Sequence, residues 1–286
     1  MHVGTIDQIW RYPVKSMAGE RLDAADLAPG GIPGDRGWAV RDEVKGGIRG
    51  AKKIPALMTC RARFPEAPTR ARTGAAEITL PDGSRLLTDA PDASQRLSAA
   101  LGQPVTLWPI LPADQLDHYR RGAPTHTDVL KELRSIFGLL DDEPLPDLGK
   151  FSPDVLEYES PPGTYFDAFP LLLVTTASLR TLQARAPASK IDVRRFRPNL
   201  LVDTLKGVDD FVEAGWEGRK LRVGHATLEL TIACPRCVMT THAFDDLPKD
   251  PTIMRTLVRE SGQNFGIYAR IANEGPVQLG DTVELL

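Results

Sequence analysis

No stretch of the 286 residues approaches the ~20 consecutive apolar positions that a membrane-spanning helix requires. The opening MHVGTIDQIW lacks a charged segment followed by an apolar one, so the chain reads as soluble and cytoplasmic, with no membrane partner. An excess of one charge is missing too. The 35 Lys and Arg stand against 38 Asp and Glu, and a net charge of −3 gives no whole-surface attraction for nucleic acid. Cysteine is scarce. Three residues, an odd number, do not make a secreted disulfide framework and point to thiol or metal chemistry for the two in Cys234-Pro235-Arg236-Cys237. Turn-formers, in contrast, are plentiful: 24 Gly and 24 Pro together make about 17% of the chain against a usual ~12%.

At ~150 residues per domain, the length suggests about two domains. Three segments emerge: a β-rich module over 1–110, a connector or insertion over 111–165 rich in Pro, Asp and Gly, and a second module over 166–286. In the first, Val3 to Trp10 reads as a strand, Glu77 to Leu80 and Arg85 to Leu87 as a hairpin around Asp82-Gly83, Pro91 to Leu101 as a helix, and Val105 to Ile110 as a strand. The connector holds one amphipathic stretch near Val129 to Leu140. In the second module, strands are expected at Leu171 to Val174, Asn199 to Val202, Lys220 to Val223, Ala226 to Ile232, Phe265 to Ile271 and Val277 to Leu285, with helices at Ala177 to Arg185 and Thr252 to Glu260. Leu228, Leu230 and Ile232 alternate with Thr227, Glu229 and Thr231, the period of a half-buried strand. Many short strands with few helices predict an α+β fold dominated by a β-barrel or strongly bent sheet, because a parallel α/β fold needs a crossover helix after nearly every strand.

The Cys234/Cys237 pair has several physical readings. A structural zinc site wants four Cys or His ligands, and Cys60, His225 and His242 do not form a second ligand pair of suitable spacing. A dithiol redox pair wants its first Cys at a helix N-terminus, whereas Val238-Met239-Thr240-Thr241-His242 is a poor helix start. A single thiolate could instead bind a thiophilic metal carried by an organic cofactor, with Arg236 beside Cys237 favouring the thiolate. The remaining reading is a pair of buried, inert cysteines. His242 could relay a proton or be structural. Arg195 and Arg197 fall on one side of Phe196 before an apolar strand, where their forks could grip phosphate or carboxylate, and Lys15, Ser16 and Arg36 lie in loops bounded by Gly or Pro.

Taken in order, six segments resemble the MOSC family, the molybdenum cofactor sulfurase C-terminal domain, in its subgroup with an N-terminal β-barrel module. They are Tyr12-Pro13-Val14-Lys15-Ser16, Gly34-Asp35-Arg36-Gly37-Trp38, Thr175-Thr176-Ala177-Ser178-Leu179, Arg195-Phe196-Arg197-Pro198-Asn199, Cys234-Pro235-Arg236-Cys237, and Asn264-Phe265-Gly266 with Leu279-Gly280-Asp281. Within the family the chain is most similar to bacterial relatives of the mitochondrial amidoxime reducing component. The resemblance implies a molybdenum cofactor with Cys237 as its metal ligand and catalytic centre, held by Lys15, Ser16, Arg36, Arg195, Arg197 and Asn199. Thr176 and Ser178 would also touch the cofactor, and Arg236 and Thr240 would flank the ligand. It further implies reduction of N-hydroxylated small molecules by oxygen-atom transfer to molybdenum. Three cysteines cannot supply the four ligands of an iron–sulfur cluster, so electrons would come from a separate donor protein of ferredoxin or flavin-reductase type. The alternative from a different class is a carrier of molybdenum cofactor or of persulfide sulfur that turns over no substrate.

Overall fold

The computed structural model describes residues 1–69 and 73–286. Its centre is a closed barrel of seven strands. Around the wall run Leu200–Thr204, Leu171–Thr175, Asn264–Asn273, Ala226–Pro235, Lys220–Val223, Thr282–Leu285 and His2–Arg11, and the last pairs with Leu200–Thr204 to close the ring. Closure leaves these seven strands without a free edge, the usual liability of an open sheet. Leu171–Thr175 and Leu200–Thr204 are parallel neighbours. Parallel strands need a crossover, and the helix Thr176–Arg185 lies in the chain between them. Ile6, Ile9, Leu173, Val202, Leu228 and Ile267 fill the barrel interior.

The first strand therefore belongs to the same barrel as strands more than 160 residues away. Its passage is tight: a Cβ on Gly4 would sit 2.0 Å from the Asp203 carbonyl oxygen, so only glycine lets the two backbones approach here. The rest of the N-terminal half forms two small sheets, Trp38–Asp42 with Ile48–Arg49 and Val105–Pro109, and Arg61–Arg63 with Glu77–Thr79 and Arg85–Leu87. The helix Ala93–Leu101 accompanies them and ends at Gly102 in the left-handed region. Met17, Val40, Leu57, Ile78 and Leu97 build the core of this half, and Met239, Phe244 and Leu247 complete it from the segment after the cysteine motif. The two halves of the sequence thus share one core across their seam.

The α+β, barrel-dominated architecture is the expected one, with corrections at three places. The run Val277 to Leu285 is two strands. Gly280, at φ 81°, turns the chain between Gly275–Gln278, which pairs with Ala24–Leu27 outside the barrel, and Thr282–Leu285 within its wall. The alternation expected through Ile232 breaks, because the register against Asn264–Asn273 shifts between Leu230 and Ala233. Ile232 is left half-exposed, the strand runs on to Pro235, and Cys234 is buried. Residues 111–165 are more than a connector. Tyr119, Tyr158 and Tyr165 pack with Ala39 and Ile48 in a buried cluster, and the amphipathic stretch is a nine-residue helix, Val129–Phe137, capped by the Asp128 side chain and ended at Gly138. Among the described residues no helix is long and apolar enough to cross a membrane.

Candidate functional site

A cleft with about 640 Å³ of free space opens where the barrel meets the N-terminal core. Its walls come from loops of both halves. Eight residues singled out from the sequence line it: Lys15, Ser16, Arg36, Arg195, Arg197, Asn199, Arg236 and Cys237. Five cationic side chains and one carboxylate, Asp167, face this space, which makes it a site for an anion.

The backbone is unusually placed around this cleft. Among the described residues six that are not glycine have positive φ, and three of them, Ser16 (70°), Arg36 (51°) and Arg197 (54°), are lining residues. Left-handed backbone costs an arginine of order 1 kcal/mol, and such conformations persist where the surroundings over-determine them. Here the surroundings are hydrogen bonds. The Arg36 amide donates to the Tyr12 carbonyl at 2.6 Å, the Ala51 amide donates to the Ser16 hydroxyl at 2.9 Å, and Tyr12 donates its amide to Asp35 at 2.7 Å.

Tyr12 organises two of the guanidiniums. Its hydroxyl donates to the Pro198 carbonyl at 2.9 Å, and its ring lies 4.2 Å from the Arg197 and 5.1 Å from the Arg36 guanidinium carbon. Arg36 pairs with the buried Asp35. Arg197 donates one nitrogen to the Met17 carbonyl, while its other terminal nitrogen, Nη2, is buried without a partner. Burial pulls the Arg197 guanidinium down to about 10, with Tyr12 opposing. An unpartnered buried N–H next to an open cleft is costly unless a ligand completes it.

The cysteine loop is held from below. The Arg236 amide donates to the Gln263 carbonyl at 2.9 Å, and the Gln263 side chain returns a bond to the Arg236 carbonyl at 2.8 Å. Arg236 lies close enough to Cys237 for a charge interaction, as adjacency in sequence suggested, but its hydrogen bond goes to Cys234. Its Nη1 donates to Cys234 Sγ at 3.0 Å and its Nη2 to the Phe196 carbonyl at 2.7 Å, because the bulged strand turns Cys234 inward beneath it. Burial pushes the Cys234 thiol up, with Arg236 pulling the other way. Cys237 is half-buried on the cleft wall, while fully buried Cys60 is pushed up to about 11 by burial and is inert. Among the described residues no group of three His, Cys, Asp or Glu could hold a metal ion, which removes the zinc reading. The short turn of 3₁₀ helix Val238–Thr241 offers no α-helical N-terminus to a dithiol pair.

Two other lining residues are committed to framework bonds. Arg195, fully buried, donates to the carbonyls of Lys190, Thr240, His242 and Pro248. Asn199 ties Trp10, Leu172 and Asp35 together. Thr176, Ser178 and Thr240 lie outside the lining. Helix geometry explains the first two: the Thr176 hydroxyl bonds Asp203 and Ser178 donates to Glu213, both at the N-terminal turn of Thr176–Arg185. Thr240 is buried and donates to the Cys237 carbonyl at 3.1 Å, bracing the loop from behind. His242 is also outside, its Nε2 at 3.1 Å from the Ala51 carbonyl.

Glu213 is 1% exposed and has one oxygen without a partner. Burial raises its carboxyl, opposed by the hydroxyls of Ser178 and Thr175. The native state therefore holds the proton more tightly than the unfolded chain. This term is fully present below the ordinary glutamate value of 4.5 and is lost as pH rises through the raised native value. Urea unfolding across pH is expected to show Glu213→Gln gaining on the parent as pH rises, by at most about 1.4 kcal/mol per pH unit. A difference that is flat with pH would show that Glu213 does not titrate there.

Sequence reasoning missed Asp167, Phe169 and Tyr268 on the cleft wall. Asp167 pairs with Lys15 at 2.7 Å and Lys52 at 3.5 Å. The two lysines, with Arg36 nearby, hold its carboxyl well below the usual carboxylate range. Lys15 also donates to the Tyr165 carbonyl at 2.9 Å and to Ser160 at 3.3 Å, so the segment treated as a connector holds this lining residue in place. The available signal was a carboxylate inside an aromatic run, Tyr165-Phe166-Asp167-Ala168-Phe169, just before an apolar strand.

Comparison with known proteins follows the same two halves. The model of the MOSC domain matches residues 161–284, and that of the MOSC N-terminal beta barrel domain matches residues 3–108. The chain is 26% identical over 305 residues to mitochondrial amidoxime reducing component 2 of Bos taurus, covering 98% of this chain and 83% of that one. It is 26% identical over 326 residues to mitochondrial amidoxime-reducing component 1 of Homo sapiens, covering 99% and 83%. To the molybdenum cofactor sulfurase of Drosophila grimshawi it is 35% identical over 122 residues, covering 40% of this chain and 15% of that one.

Proposed function

We propose that this chain, which belongs to the MOSC domain family in the form that carries the N-terminal β-barrel domain, is a molybdenum-cofactor-dependent oxidoreductase that reduces N-hydroxylated compounds. The carrying observation is the pairing of a half-buried thiol, Cys237, with a cleft walled by buried cations, two of which, Arg197 and Arg236, each have a buried nitrogen without a partner. The donor set suits such a cofactor: one soft sulfur for the metal, and a ring of nitrogen donors for a phosphate and a pterin.

When bound, the cofactor supplies a metal that accepts an oxygen atom from an N–O bond and passes two electrons. The protein supplies the rest. Cys237 gives the thiolate ligand. Arg197, with its free Nη2, and Lys15 meet the phosphate charge, Arg36 and Ser16 fix orientation from loops whose strained backbone is held by hydrogen bonds, and Asn199 braces the wall between them. Asp167 keeps Lys15 and Lys52 in place. Arg236 holds Cys234 rather than Cys237, which supports Cys234 as a positioning thiol and leaves Cys237 for the metal. Electrons are supplied by a separate ferredoxin-like or flavin-reductase-like protein in this reading.

Protein made in a host that synthesises the cofactor tests this directly. Close to one molybdenum per chain, pterin fluorescence after oxidation, and reduction of benzamidoxime with an artificial electron donor are expected. Loaded protein that turns over nothing but restores an apo-enzyme would make the chain a carrier. Protein without molybdenum would overturn the proposal.

A further inference from the structure

Phe169 stands apart from the packing of the molecule. Half-buried, it joins none of the four buried apolar clusters among the described residues, yet it lines the cleft that holds Cys237. Core packing therefore does not explain a phenylalanine here. Its ring centroid lies 5.2 Å from that of Tyr268, tilted by 36°, and the guanidinium carbon of exposed Arg270 sits 5.1 Å from it. Tyr268 is itself half-buried and lines the same cleft, so the pair forms an aromatic stretch of the wall that also holds the thiol.

We infer that Phe169 is a specificity-determining residue: with Tyr268 it forms a stacking platform that selects N-hydroxylated substrates whose N–O group is conjugated to a flat aromatic ring over aliphatic ones. This rests on the oxidoreductase reading and names its substrate class. The physical basis is the quadrupole of the ring pair. A planar substrate extends the tilted stack while Arg270 polarises its outer member, whereas an aliphatic chain gains only dispersion. Aromatic stacking of this kind is worth about 2- to 10-fold in binding. The loop that carries Phe169 also carries Asp167, so the platform is anchored through the salt bridges to Lys15 and Lys52.

The experiment compares Phe169→Leu, which keeps apolar bulk and removes the ring's π face, with Phe169→Tyr, which keeps it. On cofactor-loaded protein the ratio of kcat/KM for benzamidoxime over acetamidoxime is expected to fall about 2- to 10-fold in the Leu variant and to be restored in the Tyr variant. Calorimetry with benzamidine and acetamidine reads the same preference without turnover. A parent that prefers benzamidine, with the preference lost in Leu and kept in Tyr, supports the platform even in a protein that reduces neither oxime. An unchanged benzamidine preference in Phe169→Leu overturns the platform while leaving the reductase reading intact.

Discussion

Cys237→Ala is expected to lower reduction of benzamidoxime at least about 1,000-fold and to strip most molybdenum from the purified protein. Changes to groups that merely orient a metal ligand cost about 10- to 100-fold, and loss of the ligand itself should exceed that range. The fold should survive, since Cys237 is half-buried on the cleft wall, its thiol donates no hydrogen bond among the described residues, and the bond from Thr240 is to its backbone carbonyl. Cys234→Ala is the matched control, and its expected phenotype is of a different kind. The metal stays, but Arg236 Nη1 loses its 3.0 Å sulfur partner in a buried setting, at a cost of about 1–3 kcal/mol in stability. Metal analysis of both variants beside the parent, with urea unfolding of each, checks the pair. A Cys237→Ala protein with full molybdenum and activity, beside a Cys234→Ala protein without them, would exchange the two roles.

The second large effect is expected at Arg197. Truncating a buried charge that meets a ligand charge costs about 2–5 kcal/mol, so Arg197→Gly should weaken cofactor retention about 30- to 4,000-fold. The same variant should leave apoprotein stability within about 1 kcal/mol of the parent. It loses the bond to the Met17 carbonyl and the stack on Tyr12, but it relieves a left-handed arginine and an unpartnered buried nitrogen. Pterin retained after gel filtration measures the first quantity, and apoprotein unfolding the second. A variant that holds pterin as well as the parent would remove Arg197 from the anion grip. One that unfolds would mark it as a structural arginine like Arg195.

Much of this was legible in the chain, for identifiable reasons. The barrel strands announced themselves by alternation, as in Leu228 and Leu230, because a closed barrel has one wet and one dry face. Eight cleft residues were recognisable because charged forks and a cysteine pair stood beside Gly and Pro turns. What stayed hidden depended on contacts between distant segments. Arg236 turned from its sequence neighbour Cys237 to Cys234 because of a bulge that the alternation does not reveal. Thr176 and Ser178 were claimed by Asp203 and Glu213, which lie some 27 and 35 positions away. Asp167 and Phe169 sat between the end of the connector at 165 and the strand expected at Leu171, where composition marks a loop and says nothing of what it faces. The turn at Gly280 divided one expected strand into two that serve different sheets.

The barrel's closure by its first strand sets the order of events during synthesis. When His2–Arg11 leaves the ribosome, its partners at Leu200–Thr204 and Thr282–Leu285 have not yet been translated, and one edge or both must wait. The ring can be sealed only after Thr282–Leu285 has emerged, so assembly is dominated by distant pairings, which favours slow folding. A nascent chain carrying that waiting strand is a natural client for a chaperone, and expression at reduced temperature should raise the soluble yield.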